Sequence, residues 1–122
     1  MTPQQAREAL LFHSGARPQS DDPRWGKAFL GMLRPYRGLR EECFQDVMEC
    51  LRAVAIDLRG AAIDRELVAS LWAICHFGRA WGVSPDGELQ RNHLIKPEDV
   101  KKLEGWVEQI SETVFLLLEG QT

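Results

Sequence analysis

Residues 62–82, AIDRELVASLWAICHFGRAWG, constrain the fold more than any other stretch of the chain. This is the most apolar continuous segment, and its apolar residues recur at helical spacing. Leu67, Leu71, Ile74, Cys75 and Gly78 fall on one side at 3.6 residues per turn, and Val68, Trp72 and Trp81 widen that side. The other side is small rather than charged, with Ala69, Ala73 and Ala80 broken by Glu66, Ser70 and His76. A helix that is apolar on one face and small on the other accepts neighbours on both. The expectation is a central helix at about 64–81, covered over most of its circumference, with Trp72 and Trp81 in the core.

The flanking segments read as further helices. Thr2-Pro3-Gln4-Gln5 carries an N-cap, a proline at the first helical position and a glutamine three after the cap. Ala6, Ala9, Leu10 and His13 then face inward, and Gly15 closes the helix. After a turn-rich connector at 14–23, Asp22-Pro23 repeats the cap-plus-proline signal. It predicts a short helix with Trp25, Phe29, Leu30 and Leu33 as its apolar side, ended by Pro35. A long helix at about 39–59 has the stripe Phe44, Val47, Leu51, Val54 and Leu58, with Ile56 misplaced on its polar face. Ser84-Pro85-Asp86-Gly87 marks a turn in the connector 83–96. Pro97, followed by Glu98 and Asp99, starts the last helix, whose stripe is Val100, Leu103, Val107, Ile110, Val114 and Leu117. No alternating β-branched run lies between hairpin turns. The fold class expected is therefore all-α: one domain over 1–122, a bundle or orthogonal array of four to five helices.

Composition narrows the setting. A chain of 122 residues, 44% apolar and 27% charged, buries a core without staples. It has neither a membrane-length apolar run nor a secretory leader, so the cytoplasm is the expected location. Cys43 and Cys50 lie seven apart, about 10 Å along a helix and too far to bridge. With Cys75 they make an odd set without ligand pairs, so all three read as small buried hydrophobes. The net charge of −3 divides unevenly: residues 1–40 carry seven Lys/Arg against three Asp/Glu, and residues 41–122 carry eight against fifteen. Such ends either dock on one another or form separate patches.

Residue types that carry chemistry are sparse. No nucleotide-binding glycine loop, HExxH, CxxC or GxSxG occurs, and neither a cofactor nor a metal is expected. A small pocket at His76 and Arg79, beside Trp72 and closed by Arg91, Asn92 and His93, is the candidate ligand site. Arg34, Tyr36, Arg37 and Arg40 form a basic loop that grips phosphates if the chain meets nucleic acid, a partner its net acidity disfavours. The same loop is a candidate contact for a protein partner. So are Ile56 and the end of the last helix, where Phe115, Leu116 and Leu118 make it apolar all round. The reading these features favour is a non-enzymatic interaction module, with a homodimer through 100–118 as one form of it. A binder of small anions at His76 and Arg79 is the alternative, and a nucleic-acid binder the third.

Overall fold

The computed structural model describes residues 1–17 and 23–120. It is all-α: α1 (Pro3–His13), α2 (Glu41–Val54), α3 (Arg65–Gly78), a single turn α4 (Glu88–Arg91) and α5 (Pro97–Glu119), with no strand among the described residues. α1 packs on α2 and α3, and α5 closes the other side of the same pair.

The helix starts follow their local chemistry. The Thr2 hydroxyl accepts from the Gln5 amide at 3.1 Å while the Gln5 side chain accepts from the Thr2 amide at 2.9 Å, a reciprocal cap. Asp64 opens α3 by accepting from the amides of Glu66 and Leu67 through one oxygen. Its other oxygen takes the Arg7 guanidinium, which also meets Glu66, while Arg17 pairs with Glu8 and Glu66. The Arg7 contact holds the Asp64 carboxyl below its ordinary range. Here the basic amino-terminal part of the chain does meet the acidic remainder. Pro97 begins α5, and Gly120, at φ 77°, ends it.

Three expectations are corrected. The second helix begins at Glu41 and gives way after Val54 to a 3-10 turn, Ala55–Leu58, which leaves Ile56 two-thirds exposed. The short helix expected from Pro23 is only a 3-10 turn, Pro23–Lys27; its Asp22 cap lies outside the described residues. Beyond Lys27 the chain forms successive tight turns that bury Ala28, Phe29, Leu30, Met32 and Leu33 completely, a plug rather than a helix. Glycine allows it, because a side chain at Gly31 would strike the Trp25 carbonyl. The Arg34–Pro35 peptide is cis, and Leu33 and Tyr36 meet as an isolated bridge.

The third correction concerns α3. Leu67, Ser70, Leu71, Ile74 and Gly78 are buried, but Arg65, Ala69, Trp72, His76 and Arg79 are exposed. The helix is covered on one face only, and Trp72 keeps 58% of its surface in water. Trp81 is half-buried, in a π-helical turn, Arg79–Val83, that continues α3. Large apolar side chains are common at the surface, so a wheel that counts Trp72 as inward over-reads its hydrophobicity.

One buried polar residue joins these parts. His13, 3% exposed at the end of α1, accepts the Phe29 amide proton on Nδ1 at 2.8 Å. An amide can only donate, so Nδ1 is bare and the ring proton sits on Nε2, which donates to Asp46 of α2 at 2.7 Å. The His13 carbonyl also accepts from Leu30. The hydrogen bond from His13 Nε2 keeps the Asp46 carboxyl below its usual range. Replacing His13 by Ala strands the Phe29 amide and opens a cavity, and should cost about 3 kcal/mol in a denaturant titration. Asp46 is more acidic folded than unfolded, so its contribution is full above the ordinary carboxylate range and fades as pH falls through its depressed value. Asp46→Asn should therefore flatten the acid limb of the stability curve, and a limb as steep as the parent's would contradict this coupling.

Candidate functional site

α3 and α5 run antiparallel in close contact. A Cβ placed on Gly78 would lie 3.2 Å from Val107 Cγ2, and one on Gly82 would overlap Leu103. Two glycines a turn apart thus bring this end of the pair together. Toward the other end the helices bound an open groove of about 290 Å³, lined by Val68, Leu71, Trp72 and Cys75 from α3 and by Ser111, Val114, Phe115 and Leu118 from α5. Trp72 and Phe115, each 58% exposed, and Leu118, 39% exposed, stand along it.

Trp72 is held in position. The ring of His76, one turn on, lies flat against it at 4.4 Å and 11°. Phe77 meets both rings edge-on, and Trp81 follows Phe77 at 5.1 Å. The Arg34 guanidinium covers Trp81 at 5.0 Å and reaches Glu88 at 3.4 Å. An aromatic series therefore runs along α3 from the groove to the loop at 34–37. Cys75 sits in the groove, where burial pushes its thiol up, against smaller opposing effects of Ser111 and Arg79. Such a thiol is a packing group, since the nucleophile is the thiolate.

The remaining candidate residues are dispersed. His76 and Arg79 are exposed, and neither lines a described cavity. His93, in the left-handed region at φ 56°, lines a different cavity with Gln90, Ile95, Pro97 and Val100. Asn92 caps α4, and Arg91 donates to the Asp86 carbonyl. The loop arginines turn inward or along the surface: Arg37 donates to the Gly31 carbonyl at 2.6 Å, and Arg40 stands 4.0 Å from Glu42. Burial, with Asp99 nearby, raises the Tyr36 hydroxyl pKa. Leu116 is half-buried, and Ile56 lies on a turn that does not line the groove. Among the described residues no group of three or more His, Cys, Asp and Glu side chains is placed to hold a metal ion. None of the described helices is long and apolar enough to cross a membrane.

Val68, Cys75, Ser111 and Val114 were not singled out as site residues from sequence. For Val68, Cys75 and Ser111 a signal exists in the matched spacing 65, 68, 72, 75, 79 on α3 and its continuation and 104, 108, 111, 115, 118 on α5, each alternating three and four residues; Val114 lies outside it. Compared with known proteins, the chain matches no family model, no curated protein and no solved structure.

Trp72 and Trp106 provide the contrast that checks this geometry. Trp106 is 6% exposed and stacked on Phe44 at 5.2 Å. Trp106→Ala should cost about 3–5 kcal/mol, and Trp72→Ala less than about 1 kcal/mol. Trp72→Ala should also remove most of the iodide-quenchable tryptophan fluorescence. Equal destabilisation by the two substitutions would mean that the outer face of α3 is covered.

Proposed function

We propose that the protein is a non-enzymatic interaction module that docks protein in the α3–α5 groove. The observation that carries this reading is the exposure of Trp72, Phe115 and Leu118 around one apolar groove. Exposed apolar side chains gathered on one surface mark contact sites, and Trp is the residue type most enriched at binding hot spots. His76 adds support by holding one face of Trp72, which lowers the entropy lost when a partner covers the other.

The titratable groups agree with a binding role. Burial raises the Cys43 thiol to about 11 and the Cys50 thiol to about 12, so neither is a thiolate near neutral pH. Cys43 donates instead to the Lys27 carbonyl at 3.0 Å. Both ring nitrogens of His13 are occupied by the Phe29 amide and Asp46. These groups hold structure rather than stand ready to attack a substrate or carry a proton.

A photoreactive phenylalanine at position 115 tests the reading in cells. It should give a discrete protein adduct, while the same group at Glu49, an exposed position on α2, gives none. Equal labelling at both positions, or none at 115, would refute a docking surface there.

A further inference from the structure

The charges at the ends of the groove narrow its occupant. The groove is lined by Val68, Trp72 and Cys75 of α3 and by Ser111, Phe115 and Leu118 of α5. The same three-and-four spacing, carried past the lining as a seam on each side, reaches Arg65 and Arg79 (the first residue of the π-helical turn) on one side and Glu104 and Glu108 on the other. Each seam is uncharged across the groove itself; α3 carries arginine at both ends, and α5 carries two glutamates at one. Gly78 against Val107 and Gly82 against Leu103 fix the register, which sets Arg79 level with the Glu104–Glu108 end. Arg65 is correspondingly level with the end of α5, near the exposed Glu119. Among the described residues Arg65, Arg79, Glu104, Glu108 and Glu119 make no ion pair, unlike Arg7 and Arg17 on the α1 side. The groove is thus apolar, with arginine beyond both ends of its α3 side and glutamate beyond both ends of its α5 side, none of them in an ion pair among the described residues.

We propose that a second copy of this chain closes the groove, related by a two-fold axis parallel to the helices, so that α3 of each copy lies over α5 of the other. The inference rests on the reading of the groove as a docking surface and adds the identity and orientation of what docks. In this arrangement Arg79 faces Glu104 and Glu108 of the second copy, and Arg65 faces its Glu119. The two Trp72 and two Phe115 side chains fill the middle. The other face-to-face solution, with the axis perpendicular to the helices, sets Arg79 against Arg65 and lays Glu104 and Glu108 on Leu118. Like charges and unpaired carboxylates on apolar surface penalise it, so charge complementarity selects the first. The interface is isologous, each seam meeting its complement twice. A contact limited to two helix faces belongs with the smaller interfaces, so a reversible dimer with Kd of roughly micromolar order is expected.

Sedimentation equilibrium of the whole chain over a concentration series tests this. The parent should be a concentration-dependent dimer, and the pair Phe115→Glu with Leu118→Glu a monomer of unchanged helicity. Arg79→Glu alone and Glu108→Arg alone should each weaken the dimer about tenfold or more, because each sets like charges opposite one another twice. An equimolar mixture of these two single variants should restore it, since every 79–108 contact is then between opposite charges. That rescue is not expected if α3 lies over α3, or if the dimer forms elsewhere. A parent that stays monomeric at high concentration, a dimer indifferent to the Phe115/Leu118 pair, or failure of the mixture to rescue would each overturn the proposal. A monomeric parent that still gives a discrete adduct to a different protein from position 115 would overturn the second copy and leave the docking reading standing. No adduct of any kind would remove both.

Discussion

His13 is the point at which the separate parts of this molecule become one fold. It ends α1, receives the Phe29 amide on one ring nitrogen and gives its proton to Asp46 of α2 from the other. A buried imidazole without both partners costs free energy. Here both are present, and one of them is a backbone group that no helix satisfies. The plug at 28–33 satisfies its Met32 and Leu33 amides within itself, on the Ala28 and Leu30 carbonyls, but those of Phe29 and Leu30 take acceptors from α1. His13 supplies two, through its ring and through its carbonyl. What this seats is Phe29, fully buried, whose ring edge would lie 3.3 Å from a Cβ on Gly78. The same glycine faces Val107 of α5. The line of contact therefore runs from His13 through Phe29 to the place where α3 and α5 come closest, and the groove opens beyond that point.

How much of this could be read beforehand depended on which physics was local. Helix starts were legible because they reside in three or four adjacent residues: Thr2 with Pro3 and Gln5, Asp64, and Pro97 with Glu98 and Asp99. The stripe of α5 was legible because Leu103, Val107, Ile110 and Leu117 share one buried direction. The plug was not. Phe29, Leu30 and Leu33 have helical spacing, but their partners are His13, sixteen residues away from Phe29, and the Trp25 carbonyl that only Gly31 tolerates. Tertiary hydrogen bonding overrode the local pattern. The outer face of α3 failed for a different reason. Trp72 is as apolar in composition as a core residue, and hydrophobicity alone does not say whether a Trp is covered by its own chain or left outward.

The candidate site shows the same division. Phe115 and Leu118 were recognisable from the sequence because the end of α5 is apolar in every direction, more than one helix face can bury. Their companions Val68, Cys75, Ser111 and Val114 became visible only once α3 and α5 were known to be antiparallel neighbours in a definite register. Conversely, His76 was singled out as a polar group with room around it, and in the fold that room is occupied by the indole of Trp72. The basic loop at 34–40 lost its apparent chemistry to the same effect: Arg34 and Arg37 serve Trp81, Glu88 and the Gly31 carbonyl. Arg65, Arg79, Glu104 and Glu108, at the ends of the groove, are among the charges that have no such ion-pair partner.

The claim on which the architecture stands is that His13 is a neutral imidazole carrying its proton on Nε2, with Nδ1 accepting from Phe29. Nitrogen-15 spectroscopy of the imidazole near neutral pH reads this directly. The account predicts a bare, hydrogen-bonded Nδ1, a protonated Nε2, and a Phe29 amide that exchanges with solvent as slowly as core helical amides although it lies outside every helix. A proton on Nδ1, or a ring averaging between tautomers with a fast-exchanging Phe29 amide, would contradict it.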